Sequence, residues 1–136
     1  MFRGRTFFQN CIEAFRNENV DVIISVGNKF KIHHLKNIPS HIHIYPFVAQ
    51  IEVLKQADVF VTHGGMNSIN EAFAYGVKTV VIPFNSDQPI NANTVERMHI
   101  GRRLDFENAN VNSIREIVMD VLHNKVMNAN LKELHK

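Results

Sequence analysis

His63, Gly64 and Gly65 stand between a β-branched apolar run, Val59-Phe60-Val61-Thr62, and a stretch of helical periodicity from Met66 to Tyr75 that Gly76 closes. Strand, glycine turn and helix in that order bring backbone N–H groups and the positive end of a helix dipole to the carboxyl edge of a parallel sheet. Such a place binds an anion, most readily a phosphate. Asn67 and Ser68 fall in the first helical turn, where an amide or hydroxyl adds to the backbone donors. At about 100° per residue, Asn67 and Glu71 share a face with Ser68 on its flank, while Met66, Ile69 and Phe73 fall opposite and are expected to pack on the sheet. Glu71, an acceptor one turn deeper, suits a sugar hydroxyl and not a phosphate. The same residues also suit a capped amphipathic helix with a solvated polar face, and a lone Gly-Gly turn does not choose between the two.

The elements that must position these residues follow from periodicity. Residues 6–16 carry Phe7, Phe8, Cys11, Ile12 and Phe15 as a helical stripe with Thr6 as N-cap. Residues 20–26 (VDVIISV) form an apolar run of the kind buried in parallel sheets, turned by Gly27-Asn28. Residues 29–40 are basic and irregular, 41–45 (HIHIY) alternate, and 51–56 form a short helix. After residues 59–62, a second buried strand at 78–82 stops at Pro83, and a helix at 89–99 opens on Pro89. An edge strand at 100–104 and helices at 111–123, capped by Asn112 or Asn110, and 126–135 complete the chain. Strands alternating with helices predict one α/β domain over residues 1–136: a Rossmann-like parallel sheet with right-handed crossovers and helices on both faces. In such a sheet Gly27-Asn28, residues 47–50, residues 63–68 and Asp87-Gln88 all lie beyond the carboxyl ends of strands, where ligands sit.

Composition narrows the field. The 136 residues are 45% hydrophobic with ten Phe and no Trp, and the net charge of +2 gives no bias toward nucleic acid. No run approaches the ~18 apolar residues of a membrane span. MFRGRTFFQN lacks the apolar core of a secretory signal. Cys11 is the sole cysteine, which makes a reducing, cytoplasmic setting the default expectation and leaves no intramolecular disulfide.

With FVAQIEVL at 47–54, THGGMNSINEA at 62–72 and PFNSDQPINAN at 83–93, the chain resembles the C-terminal, nucleotide-sugar-binding half of a GT-B glycosyltransferase of the UDP-glycosyltransferase and macrolide-glycosyltransferase kind. Asp87 follows His63 by 24 positions (87 − 63), the spacing of that family's histidine and its acid-glutamine pair. The resemblance implies that Phe47 stacks on the uracil and Gln50 contacts the base or ribose region. It implies that His63 and the amides around Gly64 and Gly65 hold the diphosphate, with Asn67 and Ser68 beside it. Glu71 would accept from the ribose hydroxyls, and Asp87 and Gln88 would hold the donor sugar. A helix end in this role implies that no cofactor or divalent metal is needed, the UDP-sugar being a co-substrate.

The chain departs from the family at Phe47, where Trp or Tyr is usual, and at Ala49, where Pro is usual. The resemblance further implies a chain that stops short of the family at both ends. The acceptor-binding N-terminal domain with its base is absent from these residues, as is the first strand of the C-terminal domain, an apolar run ending in Gly-Ser or Gly-Thr. In the doubly wound order that strand lies between the strands at 20–26 and 59–62, which would otherwise lack a shared neighbour. Two readings follow: the donor half of an inverting hexosyltransferase, or a non-catalytic nucleotide-binding remnant or subunit completed by a partner carrying the acceptor domain, or by self-association. A dinucleotide-binding domain would want G-x-G-x-x-G after its first strand, which this chain lacks. His33, His34, His41 and His43 have no Cys or carboxylate at ligand spacing, so they read as polar surface and not as a metal site. Lys29, Lys31 and Lys36 read as a solvated basic loop.

Overall fold

A computed structural model of the protein describes residues 4–83 and 88–135. In chain order it contains α1 (Arg5–Phe15), β1 (Val22–Ser25), β2 (Ile42–Tyr45), α2 (Gln50–Leu54), β3 (Val59–Thr62), α3 (Met66–Ala74), β4 (Lys78–Val81), α4 (Gln88–Arg97), β5 (Gly101–Arg103), α5 (Val111–His123) and α6 (Lys125–Leu134). Every strand pair is parallel. Among the described residues the strands form two sheets, β1-β2 and β3-β4-β5. β1 pairs with β2 alone and β3 with β4 alone, which leaves a slot where the doubly wound order places its first strand.

One helical layer spans that slot. Phe7, Phe8, Ile12 and Phe15 of α1 and Ile114, Val118 and Val121 of α5 form a single core with Ile42, Val80 and Ile82. Val22, Ile24, Val59 and Val61 pack against the same core from both sheets. The opposite face of β4 presents Val81 to Ala92 and Val95 of α4 and Leu131 of α6, with Ile69 and Phe73 of α3 alongside. Since successive strand side chains alternate faces, a strand covered on both sides favours apolar residues at every position. β4 is buried at all four positions and apolar at Val80 and Val81, while Lys78 and Thr79 are buried polar residues; the Lys78 ammonium donates to the Leu122 carbonyl at 2.8 Å, satisfying the last turn of α5.

Three expectations need correction. Thr6 does not cap α1; the N-cap is Gly4 at φ 102°, with no side-chain cap, and Thr6 sits inside the first turn. The run at 20–26 is not buried on both faces: Ile23 is 48% exposed because no described helix covers that side of β1. Met66 is likewise 48% exposed, unlike Ile69 and Phe73, because α3 starts past the end of β3, where no strand lies beneath its first turn. Of the two cap candidates for α5, Asn110 takes the role, in a reciprocal capping box with Ser113.

Gly101 shows how tightly β5 meets β4. A Cβ there would run into the Thr79 carbonyl and hydroxyl oxygens and lie 2.6 Å from Val95 Cγ1. Gly101→Ala should therefore cost about 3 kcal/mol, the upper range for overpacking, because a ladder carbonyl cannot move aside. Gly76→Ala should cost about 1–2 kcal/mol, for a positive φ of 68° with open space around it. Urea unfolding compares them; equal midpoints for the two variants would contradict this account of the β4–β5 contact.

Candidate functional site

The turn from β3 to α3 is built from both sides. Thr62, buried at the end of β3, accepts the Gly64 N–H on its hydroxyl at 3.2 Å. Gly64 has φ 96°, and a Cβ on it would lie 2.7 Å from Val81 Cγ1, so only glycine fits both the angle and the space. Gly65 is the N-cap of α3 and offers no side chain; the first helical bond is Ile69 N–H to its carbonyl at 3.1 Å. No side chain caps this helix start, so its first N–H groups and dipole present a site for negative charge. The Gly64 amide is spent within the turn, and the donors belong to the residues after it.

The first turn of α4 grips the same turn. Gln88 Nε2 lies 3.1 Å from His63 Nδ1, and Asn91 Nδ2 donates to the Gly64 carbonyl at 2.8 Å. With the Gln88 amide nitrogen donating to it, Nδ1 accepts, and this contact matches the tautomer that carries its proton on Nε2. Burial lowers the His63 pKa from its ordinary value, which favours the neutral ring. His63 is thus a hydrogen-bond donor without net charge.

On the other side of α3, Gln50, the first residue of α2, donates to Glu71 Oε1 at 2.6 Å and to Ser68 Oγ at 3.3 Å. The polar face of α3 is therefore held by a neighbouring element. This argues against a helix face that merely meets solvent, and the helix lacks the side-chain cap which that reading requires. Phe47 is 63% exposed in the loop entering α2, and Asn67 is exposed in the first turn of α3. Asp87 lies outside the described residues. His63, Gly64, Gly65, Ser68, Glu71, Gln50 and Gln88 are linked around one helix start, while among the described residues no side-chain hydrogen bond ties Phe47 or Asn67 to them. Sequence reasoning missed Thr62 and Asn91. Asn91 had a signal, since it lies three residues after Gln88 and so on the same face of α4.

Other candidates carry less. Burial pushes the Cys11 thiol up to about 12, so it is no nucleophile at neutral pH. His41 Nε2 is 2.8 Å from the Phe15 carbonyl, a contact between α1 and the start of β2. Among the described residues no three His, Cys, Asp or Glu side chains gather as a metal site would need, and no helix is long and apolar enough to cross a membrane.

Residues 6–135 match the glycosyltransferase family 28 C-terminal domain. The chain is 39% identical over 130 residues to NDP-glycosyltransferase YjiC of Bacillus subtilis, covering 96% of this chain and 33% of that protein. It is 29% identical over 114 residues to the oleandomycin glycosyltransferase of Streptomyces antibioticus, covering 83% of this chain and 26% of that one. Among solved structures, the glycotransferase of kitacinnamycin superposes with a TM-score of 0.89 at 33% identity, over 94% of this chain and 33% of that chain. The chain thus spans about a quarter to a third of the length of these relatives. A parallel α/β domain with an uncapped helix start beyond β3, matched over residues 6–135, belongs to the glycosyltransferase family 28 C-terminal domain family and has the fold of the C-terminal half of a GT-B enzyme.

Proposed function

We propose that these residues bind the donor, a UDP-hexose, for an inverting transfer to a small-molecule acceptor. The observation that carries this reading is the uncapped start of α3 with the neutral, Gln88-oriented His63 beside it. The diphosphate lies against the N–H groups from Gly65 to Ser68 and accepts from His63 Nε2–H. Glu71, held by Gln50, accepts from the ribose hydroxyls, Phe47 stacks on the base, and Asp87 and Gln88 hold the sugar. The acceptor oxygen attacks the anomeric carbon from the face opposite UDP. The bond from that carbon to the β-phosphate oxygen breaks, and its electron pair leaves with UDP. The helix N–H groups and His63 stabilise the charge that develops there, a role in which one well-placed donor is worth about 10²–10³ in rate. The acceptor's proton goes to a base on the acceptor domain, so these 136 residues bind donor without turning it over.

Calorimetry with UDP tests the reading. His63→Ala should weaken UDP binding by about 1.5–3 kcal/mol, the range for a hydrogen bond to a charged group. The native affinity should be the same with and without a chelator, because the helix start supplies the positive field that a metal would otherwise provide. Equal affinity of native protein and His63→Ala would remove His63 from the site. Loss of binding on chelation would put a metal there.

A further inference from the structure

We infer that Asn91 is a positioning residue for the donor diphosphate, acting through the peptide between Gly64 and Gly65; the inference rests on the donor-site reading above. Asn91 is 6% exposed, and its Nδ2 donates to the Gly64 carbonyl at 2.8 Å. A side-chain amide sited beside Ala92 and Val95 is costly to bury unless it is hydrogen-bonded, so the contact, not the packing, accounts for its presence.

The described chain has no cis peptide bond. In a planar trans peptide the carbonyl and the following N–H point in opposite directions. Holding the Gly64 carbonyl toward α4 therefore aims the Gly65 N–H away from α4. That N–H is the first donor of the proposed phosphate cup. Glycine on both sides of this peptide leaves no Cβ to resist rotation of its plane. The preceding peptide is held separately, by Thr62 Oγ1 accepting from Gly64 N–H at 3.2 Å. β3 thus fixes one peptide of the turn and α4 fixes the next. Without Asn91 the second peptide turns between orientations, and only one of them offers its N–H to an anion. Asn91 also lies one helical turn from Gln88, so a single rigid element orients both the imidazole and the peptide.

The test uses the whole 136-residue chain, native, Asn91→Leu and Asn91→Ala. Leucine has a similar volume but donates nothing; alanine serves if leucine prevents folding. Without ligand, NMR relaxation dispersion at the Gly65 amide should be flat in the native chain and show exchange in the variants. By calorimetry, UDP binding should weaken about ten- to a hundredfold, the worth of one charge-assisted hydrogen bond, while uridine, which lacks the diphosphate, binds as before. Retention of native UDP affinity, equal loss of UDP and uridine, or a rigid Gly65 amide in the variants would overturn the inference. Failure of the native chain to bind UDP would instead remove the donor reading, leaving Asn91 as a brace of the turn alone if the Gly65 exchange still appears.

Discussion

An apolar strand ending in Gly-Thr, joined ahead of Met1, should raise the melting temperature by roughly 10 °C and shift the chain toward monomer. β1 and β3 each have one hydrogen-bonded neighbour among the described residues, while α1 and α5 pack as one layer beneath both sheets. Among the described residues each strand therefore has no strand on its other edge, which is a cost within a parallel sheet and a template for association. A strand in the slot pairs with both edges and adds apolar side chains to the core behind it. A net gain of about 3 kcal/mol corresponds to roughly 10 °C for a domain of this size. Calorimetric melting and sedimentation decide the matter. If the native chain is already a hyperstable monomer and the added strand changes neither quantity, the slot between β1 and β3 is not open.

Gly64→Ala should be the most damaging single substitution at the site, and Gly65→Ala next to it should be mild. At Gly64 a side chain meets φ 96°, which costs about 1–2 kcal/mol. It also places Cβ 2.7 Å from Val81 Cγ1, a fully buried side chain packed among Ala92, Val95 and Ile100. Overpacking of that kind adds about 1–3 kcal/mol. The Gln88 carbonyl at 3.4 Å blocks relief toward α4, so the turn itself must move and UDP binding should fall more than tenfold. At Gly65 the backbone is extended, φ −63°, and a Cβ would meet only His63 Cε1 at an ordinary 3.7 Å. Urea unfolding and UDP calorimetry on both variants provide the comparison. Equal effects at the two glycines would show that the turn is not shaped by the Gly64–Val81 contact.

Much of this arrangement was legible in local pattern. β3 and α5 have the predicted bounds, 59–62 and 111–123, because a β-branched run beside glycine and a strong apolar stripe are local signals. Glu71 and Ser68 were placed correctly on a polar face, since spacing along a helix fixes direction. What the sequence did not reveal depends on elements meeting in space. Gly64 and Asn91 are 27 positions apart, and His63 and Gln88 are 25 apart. No periodicity links them; only the packing of α4 against β4 brings them together. Gln88, read as a sugar ligand, also orients the imidazole, and Gly64, read as a phosphate donor, has its amide turned inward to Thr62. Thr6 and Met66 were misread for different reasons: α1 begins at Arg5, ahead of the residue expected to cap it, and Met66 stands where α3 starts beyond the strands, so period alone does not dictate its burial.

The central claim is that the start of α3 binds the diphosphate of a nucleotide. Titration of UDP into the 15N-labelled chain, followed by amide chemical shifts, tests it most directly. The account predicts that the resonances of Gly65, Met66, Asn67 and Ser68 move together and saturate, and that uridine moves those of Phe47 and Gln50 while leaving the first four in place. Saturable UDP shifts confined to other parts of the chain, or no shift at Gly65 to Ser68 when UDP is bound, would contradict it.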